Sequence, residues 1–117
     1  MSDLAVVRTG GNERTSVILR GSYDTGENYS DILRNRRYAT QEPILVDCNH
    51  GNSSKTIEGA IACFEFCIRH LRSRLYKGFM LESFLDEGTS KDMTQTTVSI
   101  TDPCVSLGTT VDLLRKL

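Results

Sequence analysis

Three times in 117 residues a short apolar run ends in charged or polar side chains and gives way to a loop and a helical pattern. The runs are SVILRG (Ser16 to Gly21), PILVDCNH (Pro43 to His50) and GFMLESFL (Gly78 to Leu85). Strands separated by helical crossovers pair in parallel, so this repetition restricts the chain to an α/β architecture built from βα units. Between the first two runs, the turn-rich SYDTGENYSD ends in a helix cap at Ser30 or Asp31, and DILRNRRYAT reads as a short basic helix. Glu42 and Pro43 end it, because proline cannot continue the hydrogen-bonded turn. From Ser54 to Leu75 the apolar positions Ile57, Ile61, Phe64, Ile68, Leu71 and Leu75 fall three and four apart, which predicts one helix. A polar loop over Asp86 to Thr97 then leads to VSITDPC and a terminal helix over Thr109 to Leu117.

The length allows one domain, residues 1–117, with a modest core of its own. A composition of 38% apolar and 25% charged residues is that of a globular chain, not a disordered one. Fourteen basic against fifteen acidic side chains leave a net charge of -1, which supplies no electrostatic reason for nucleic acid or an anionic membrane as partner. No apolar run approaches the ~18 residues of a membrane span, and MSDLAVVRTGG lacks the apolar core of a secretory signal, so the expectation is a cytoplasmic chain with reduced thiols. Of the four cysteines, Cys63 and Cys67 share a helical face with His70 and could be drawn as part of a metal site. Cysteine at that spacing inside IACFEFCIRHL is more often a small core residue.

In parallel α/β folds, function gathers where strands end, at their carboxyl termini. Arg20, His50 and Glu82 would lie on that rim. Strand alternation places His50 on the face of Ile44, Val46 and Cys48, with Asp47 and Asn49 on the other; it groups Glu82 with Met80 and Arg20 with Ile18. An imidazole from His50 and carboxylates from Glu82 and Asp102 make a nitrogen and oxygen set suited to a divalent ion, with positions left open for a substrate oxygen. Each residue also has a plainer reading. A strand-end histidine can be bonded to backbone, Glu82 can be a solvated carboxylate, and Asp102 before Pro103 is a common turn element. Arg20 either caps a neighbouring helix or forks a phosphate.

The words RTGGN (Arg8 to Asn12), ILRG (Ile18 to Gly21), NY (Asn28, Tyr29), VDCNHGNSSK (Val46 to Lys55), LESFLDEG (Leu81 to Gly88) and SITDPC (Ser99 to Cys104) occur in that order. In this collinear series the chain resembles the carboxyl-terminal third of class I 3-deoxy-D-arabino-heptulosonate 7-phosphate (DAHP) synthase, also called phospho-2-dehydro-3-deoxyheptonate aldolase. The resemblance implies a partial (β/α)8 TIM barrel, about its last three βα units. It implies an aldol-type transferase that condenses phosphoenolpyruvate with erythrose 4-phosphate, releases phosphate and opens the shikimate pathway to aromatic amino acids or related secondary metabolites. It also implies a divalent metal, manganese or similar, held by His50, Glu82 and Asp102, and a phosphoenolpyruvate phosphate held by Arg20 with His50.

Departures from the family pattern accompany the likeness. A complete barrel takes about 250 residues, and five βα units have no counterpart here. With them go a cysteine metal ligand and a KPRT-type basic motif. The loop DMTQTTVSITDPC lacks the tyrosine-glycine pair usual before its serine, and SLG stands where glycine-tryptophan is usual. A three-stranded piece of a barrel would expose two sheet edges and apolar faces. A homo- or hetero-oligomer that completes the barrel is therefore expected, and so is little activity from the chain alone. The truncated pattern fits an incomplete gene, a paralogue complemented by another chain, or a remnant. A non-catalytic fragment that binds or regulates a full-length synthase is the competing function. A small independent α/β domain with a fortuitous metal site is the third.

Overall fold

The computed structural model describes residues 3–40 and 42–117. Its elements are β1 (Val17–Leu19), α1 (Ile32–Ala39), β2 (Ile44–Asp47), α2 (His50–Ser53), α3 (Ile57–His70), β3 (Gly78–Met80), β4 (Ser83–Phe84), β5 (Val105–Ser106) and α4 (Leu107–Leu114). β1, β2 and β3 form a parallel sheet in chain order, with Val17 opposite Ile44 and Leu45 opposite Gly78. The expected α/β architecture with helical crossovers is present.

β1 ends where Arg20 meets Gly21, whose φ of 68° suits glycine. The loops after β1 and β2 touch at this point. The Gly21 N–H donates to Asn28 Oδ1 at 3.1 Å, and the Asn52 N–H donates to the Arg20 carbonyl at 2.9 Å. Asn52 also sends its side-chain amide to the carbonyls of Leu19 (3.0 Å) and Asp47 (2.8 Å) and accepts the Asn28 N–H at 2.9 Å. One buried amide thus ties two strand ends to a loop, in a place where unpaired backbone groups would be costly.

α1 starts at Asp31, whose side chain accepts the Arg34 N–H. The helix predicted over Ser54 to Leu75 is present but shorter, running unbroken as α3 from Ile57 to His70, and a separate turn precedes it. α2 is a single turn; Ser54 and Lys55 take left-handed φ values of 52° and 58°; Thr56 then caps α3 by accepting the Gly59 N–H. α3 ends at His70 and passes into a 3-10 turn over Leu71–Ser73. Its inner face is Ala60, Cys63, Phe64 and Cys67, all buried, and the last three join Ile44, Val46 and Cys48 in the core cluster. Small side chains let the helix sit close to the sheet, while Ile57, Ile61, Ile68 and Leu71 of the apolar stripe flank that contact half-buried. Phe64 meets Phe79 of β3 edge-on at 4.6 Å.

The third predicted strand, Gly78 to Leu85, divides. β3 stops at Met80, and Ser83 and Phe84 pair in parallel with Val105 and Ser106 in a separate two-stranded sheet. The chain turns at Leu81 and Glu82 because the Glu82 N–H donates to the Asn49 side chain, while its carbonyl accepts Val105 N at 3.0 Å. Ser106 caps α4 by accepting the Thr109 N–H, and Leu113 returns that helix to the core.

β1 and β3 are the two edges of the three-stranded sheet, and their central or terminal apolar residues Ile18 (60%) and Met80 (46%) are exposed. The radius of gyration, 17.0 Å, exceeds the ~13 Å of a compact domain of this length. The described residues contain no helix long and apolar enough to cross a membrane.

Candidate functional site

His50, Glu82 and Asp102 converge at the carboxyl ends of β2 and β3. One ligand-type atom from each lies within 4.8 Å of the others. His50 Nε2 is 3.4 Å from Asp102 Oδ2 and 3.8 Å from Glu82 Oε1. The three residues expected to act together do meet, although they come from a helix start, a strand exit and a distant loop.

The approach of His50 differs from the strand-alternation expectation. β2 ends at Asp47, and His50 opens α2 with a left-handed φ of 51°. That turn carries the ring away from the buried face of Ile44, Val46 and Cys48 and onto Asp47, the residue assigned to the opposite face. His50 Nδ1 lies 2.7 Å from Asp47 Oδ2, and the other Asp47 oxygen accepts the Asn49 N–H at 2.9 Å. With Nδ1–H donating to the Asp47 carboxylate, the Nε2 lone pair is left aimed at two carboxylates. Two acceptors and a lone pair repel unless a proton or a cation stands among them. Asp47 and Asn49 are nearly fully buried. Neither residue stood out as a site member from strand alternation, although Asp47 lies three residues before the histidine, within reach once the chain turns.

Charge in the corner is uneven. Burial holds the Glu82 carboxyl above its usual range, with nearby His50 pulling it down and Asp102 and Asp47 adding to the rise. Lys55 donates to Asp102 Oδ1 at 3.1 Å and keeps Asp102 below the usual carboxylate range. The Lys55 ammonium also sits 5.3 Å from the Tyr23 ring centroid. Glu82 Oε2 is buried without a hydrogen-bond partner among the described residues. A buried carboxylate oxygen left in this way is stabilised by a cation, and imidazole with two carboxylates is a fitting donor set for a divalent one. The three residues therefore fit a metal ion.

Arg20 stands apart from this cluster. Its exposed side chain lines a cleft of about 320 Å³ with Gly21, Ser22, Tyr23, Asp24 and Gly51. Gly51 packs so closely there that a Cβ would come within 2.3 Å of Ser22 N. The cleft and the metal corner are adjacent through the His50–Gly51 peptide, yet His50 does not line the cleft.

The set drawn from Cys63, Cys67 and His70 is corrected. His70 Nδ1 lies 2.9 Å from the Phe66 carbonyl, and its ring stacks on Phe66 at 4.1 Å. Cys48, brought in from the end of β2, joins the two helical thiols instead.

The model of the DAHP synthetase I family matches residues 2–115. The Tyr-sensitive phospho-2-dehydro-3-deoxyheptonate aldolase of Salmonella typhimurium is 30% identical over 97% of this chain and 35% of its own length. The tyrosine-inhibited enzyme of that name from Schizosaccharomyces pombe is 33% identical over 97% of the chain and 34% of its own length. A solved structure of phospho-2-dehydro-3-deoxyheptonate aldolase from Francisella tularensis superposes with a TM-score of 0.78 at 30% identity, covering 96% of this chain and 36% of that one. The chain thus spans about a third of the length of the relatives it matches.

Proposed function

The chain belongs to the DAHP synthetase I family, and from that premise we propose that it forms the metal-holding part of a DAHP synthase barrel, its last three βα units. The reaction served is the condensation of phosphoenolpyruvate with erythrose 4-phosphate to DAHP, the opening step of the shikimate pathway. The remaining strands come from another polypeptide or from sequence joined to these residues. The observation that carries this reading is the meeting of His50, Glu82 and Asp102 around a buried, unpartnered Glu82 oxygen.

His50, Glu82 and Asp102 would hold the ion, manganese or similar. When bound, such an ion is a Lewis acid toward an aldehyde oxygen. The chain's own groups prepare that position. Asp47 fixes the ring of His50 through Nδ1 and presents Nε2. Asn49 fixes the backbone at Glu82. Lys55 shares Asp102 and keeps it ionised. Arg20, at the lip of the adjoining cleft, offers a guanidinium fork to the phosphate of phosphoenolpyruvate. His50, expected beside Arg20 at that phosphate, does not line the cleft, and its ring nitrogens face Asp47 and the two carboxylates instead.

Manganese titration of the 117-residue chain, followed by the loss of the free-ion paramagnetic resonance signal, tests the site. One ion per chain is expected, with binding abolished by His50→Ala or Glu82→Ala. Retained binding in both variants would sink the assignment. Synthase activity is expected only after a polypeptide carrying the other barrel strands is added.

A second reading, a non-catalytic fragment that associates with a full-length synthase, is favoured by one separate observation. Ile18, Met80, Phe84, Leu107 and Val111 are exposed apolar residues on or beside the two small sheets. Co-purification with a full-length synthase, weakened by Ile18→Glu but untouched by Glu82→Ala, would select this reading.

A further inference from the structure

We propose that Cys48, Cys63 and Cys67 form a second metal site, one that takes a soft, thiophilic cation through sulfur alone. The three thiols come from the end of β2 and from two successive turns of the inner face of α3, and their sulfurs all lie within 4.8 Å of one another. Sulfurs bound to one ion at a metal–sulfur distance of about 2.3 Å lie roughly 4 Å apart, so small side-chain adjustments close the set. Thiolates without harder donors select monovalent copper and the zinc group over magnesium or calcium, which prefer oxygen.

Cysteine is often only a small core side chain. Against that reading, three of the chain's four cysteines meet at one point, whereas alanine fills a comparable position on the same face at Ala60. All three are fully buried, so an ion enters through a local opening of α3 from the sheet, and each ligating thiol gives its proton to solvent. The site lies under the His50 corner. The Cys48 N–H donates to the Met80 carbonyl at 2.9 Å, and an ion here would brace the β2–β3 end against α3. The two clusters would sort cations by softness, the nitrogen and oxygen set above and the sulfur set below.

Cadmium is the probe, because its thiolate complexes absorb in the ultraviolet and its nitrogen and oxygen complexes do not. Added to the reduced 117-residue chain, it is expected to raise a sulfur-to-metal charge-transfer band that saturates at one ion per chain. It should also slow alkylation of Cys48, Cys63 and Cys67 at least tenfold, read by mass spectrometry, while Cys104 reacts as before. Glu82→Gln should leave the band intact, so failure of the His50 centre would not remove it. Cys67→Ala should weaken the band's affinity at least tenfold. No band in the wild-type chain, or protection confined to Cys104, overturns the proposal without any variant having to fold.

Discussion

The side-chain carbonyl of Asn49 accepts the backbone N–H of Glu82 at 2.8 Å, so the loop after β2 holds the carboxylate that follows β3. Asn49→Ala leaves that N–H without its partner in a largely buried corner and is expected to cost ~1–3 kcal/mol. Urea unfolding measures the loss. Asn49→Asp keeps an acceptor in place and should recover part of it; equal losses for the two variants would show that the bond is not the cause.

Asp47 acts on His50 from behind, through Nδ1. Asp47→Asn keeps the shape but removes the charge that fixes the ring's proton on that nitrogen. Outer partners of ligating histidines are typically worth ~10–100-fold in metal affinity. A manganese titration of Asp47→Asn should fall in that range, with the far-ultraviolet circular dichroism unchanged. Wild-type affinity would remove Asp47 from the site.

Gly51 and Gly10 should respond oppositely to the same added methyl group. At Gly51 a Cβ meets backbone atoms, Ser22 N at 2.3 Å and Gly21 C at 2.4 Å, whereas at Gly10 nothing lies within 4 Å. Backbone cannot rotate away as a side chain can, so Gly51→Ala should cost ~1–3 kcal/mol or more. Gly10→Ala should stay within about 0.5 kcal/mol of wild type. Thermal melts of the pair decide.

Much of the sheet could be read from the sequence because apolar runs with polar ends mark strands whichever helix follows. The three proposed ligands could be found for the same reason, each sitting just past such a run or before a turn. Asp47 could not. Alternation assigned it away from His50, and only the left-handed residue at 50 reverses that assignment. The later start of α3, after Ser54 and Lys55, left no mark either, since neither is the glycine that positive φ usually selects. The division of GFMLESFL depends on a bond from Asn49 and on pairing with Val105, both distant in sequence. Cys48 meets Cys63 and Cys67 only through the packing of α3 on the sheet, which helical spacing alone does not contain.

Tyr29 supplies a test at alkaline pH. Burial pushes its phenol up to about 12, against an ordinary value of about 10 in the unfolded chain. Its contribution to stability is complete below about pH 10. Above that the unfolded chain loses the proton first, and the contribution is drawn down until the folded phenol titrates near 12. Tyr29→Phe keeps the edge-on contact with Phe66 at 5.1 Å and removes the ionisation. Its alkaline unfolding midpoint, followed by circular dichroism, should move to higher pH; an unmoved midpoint would falsify this account.

The left-handed turn at His50 sets the interests of the fold against those of the site. A non-glycine residue held there costs of order 1–3 kcal/mol, and glycine would relieve it. Selection for thermal endurance alone, in a laboratory library or in a lineage that no longer uses the chemistry, should discard this histidine early. In copies of this chain, glycine at that position would then mark the loss of whatever the imidazole does there, and histidine its retention.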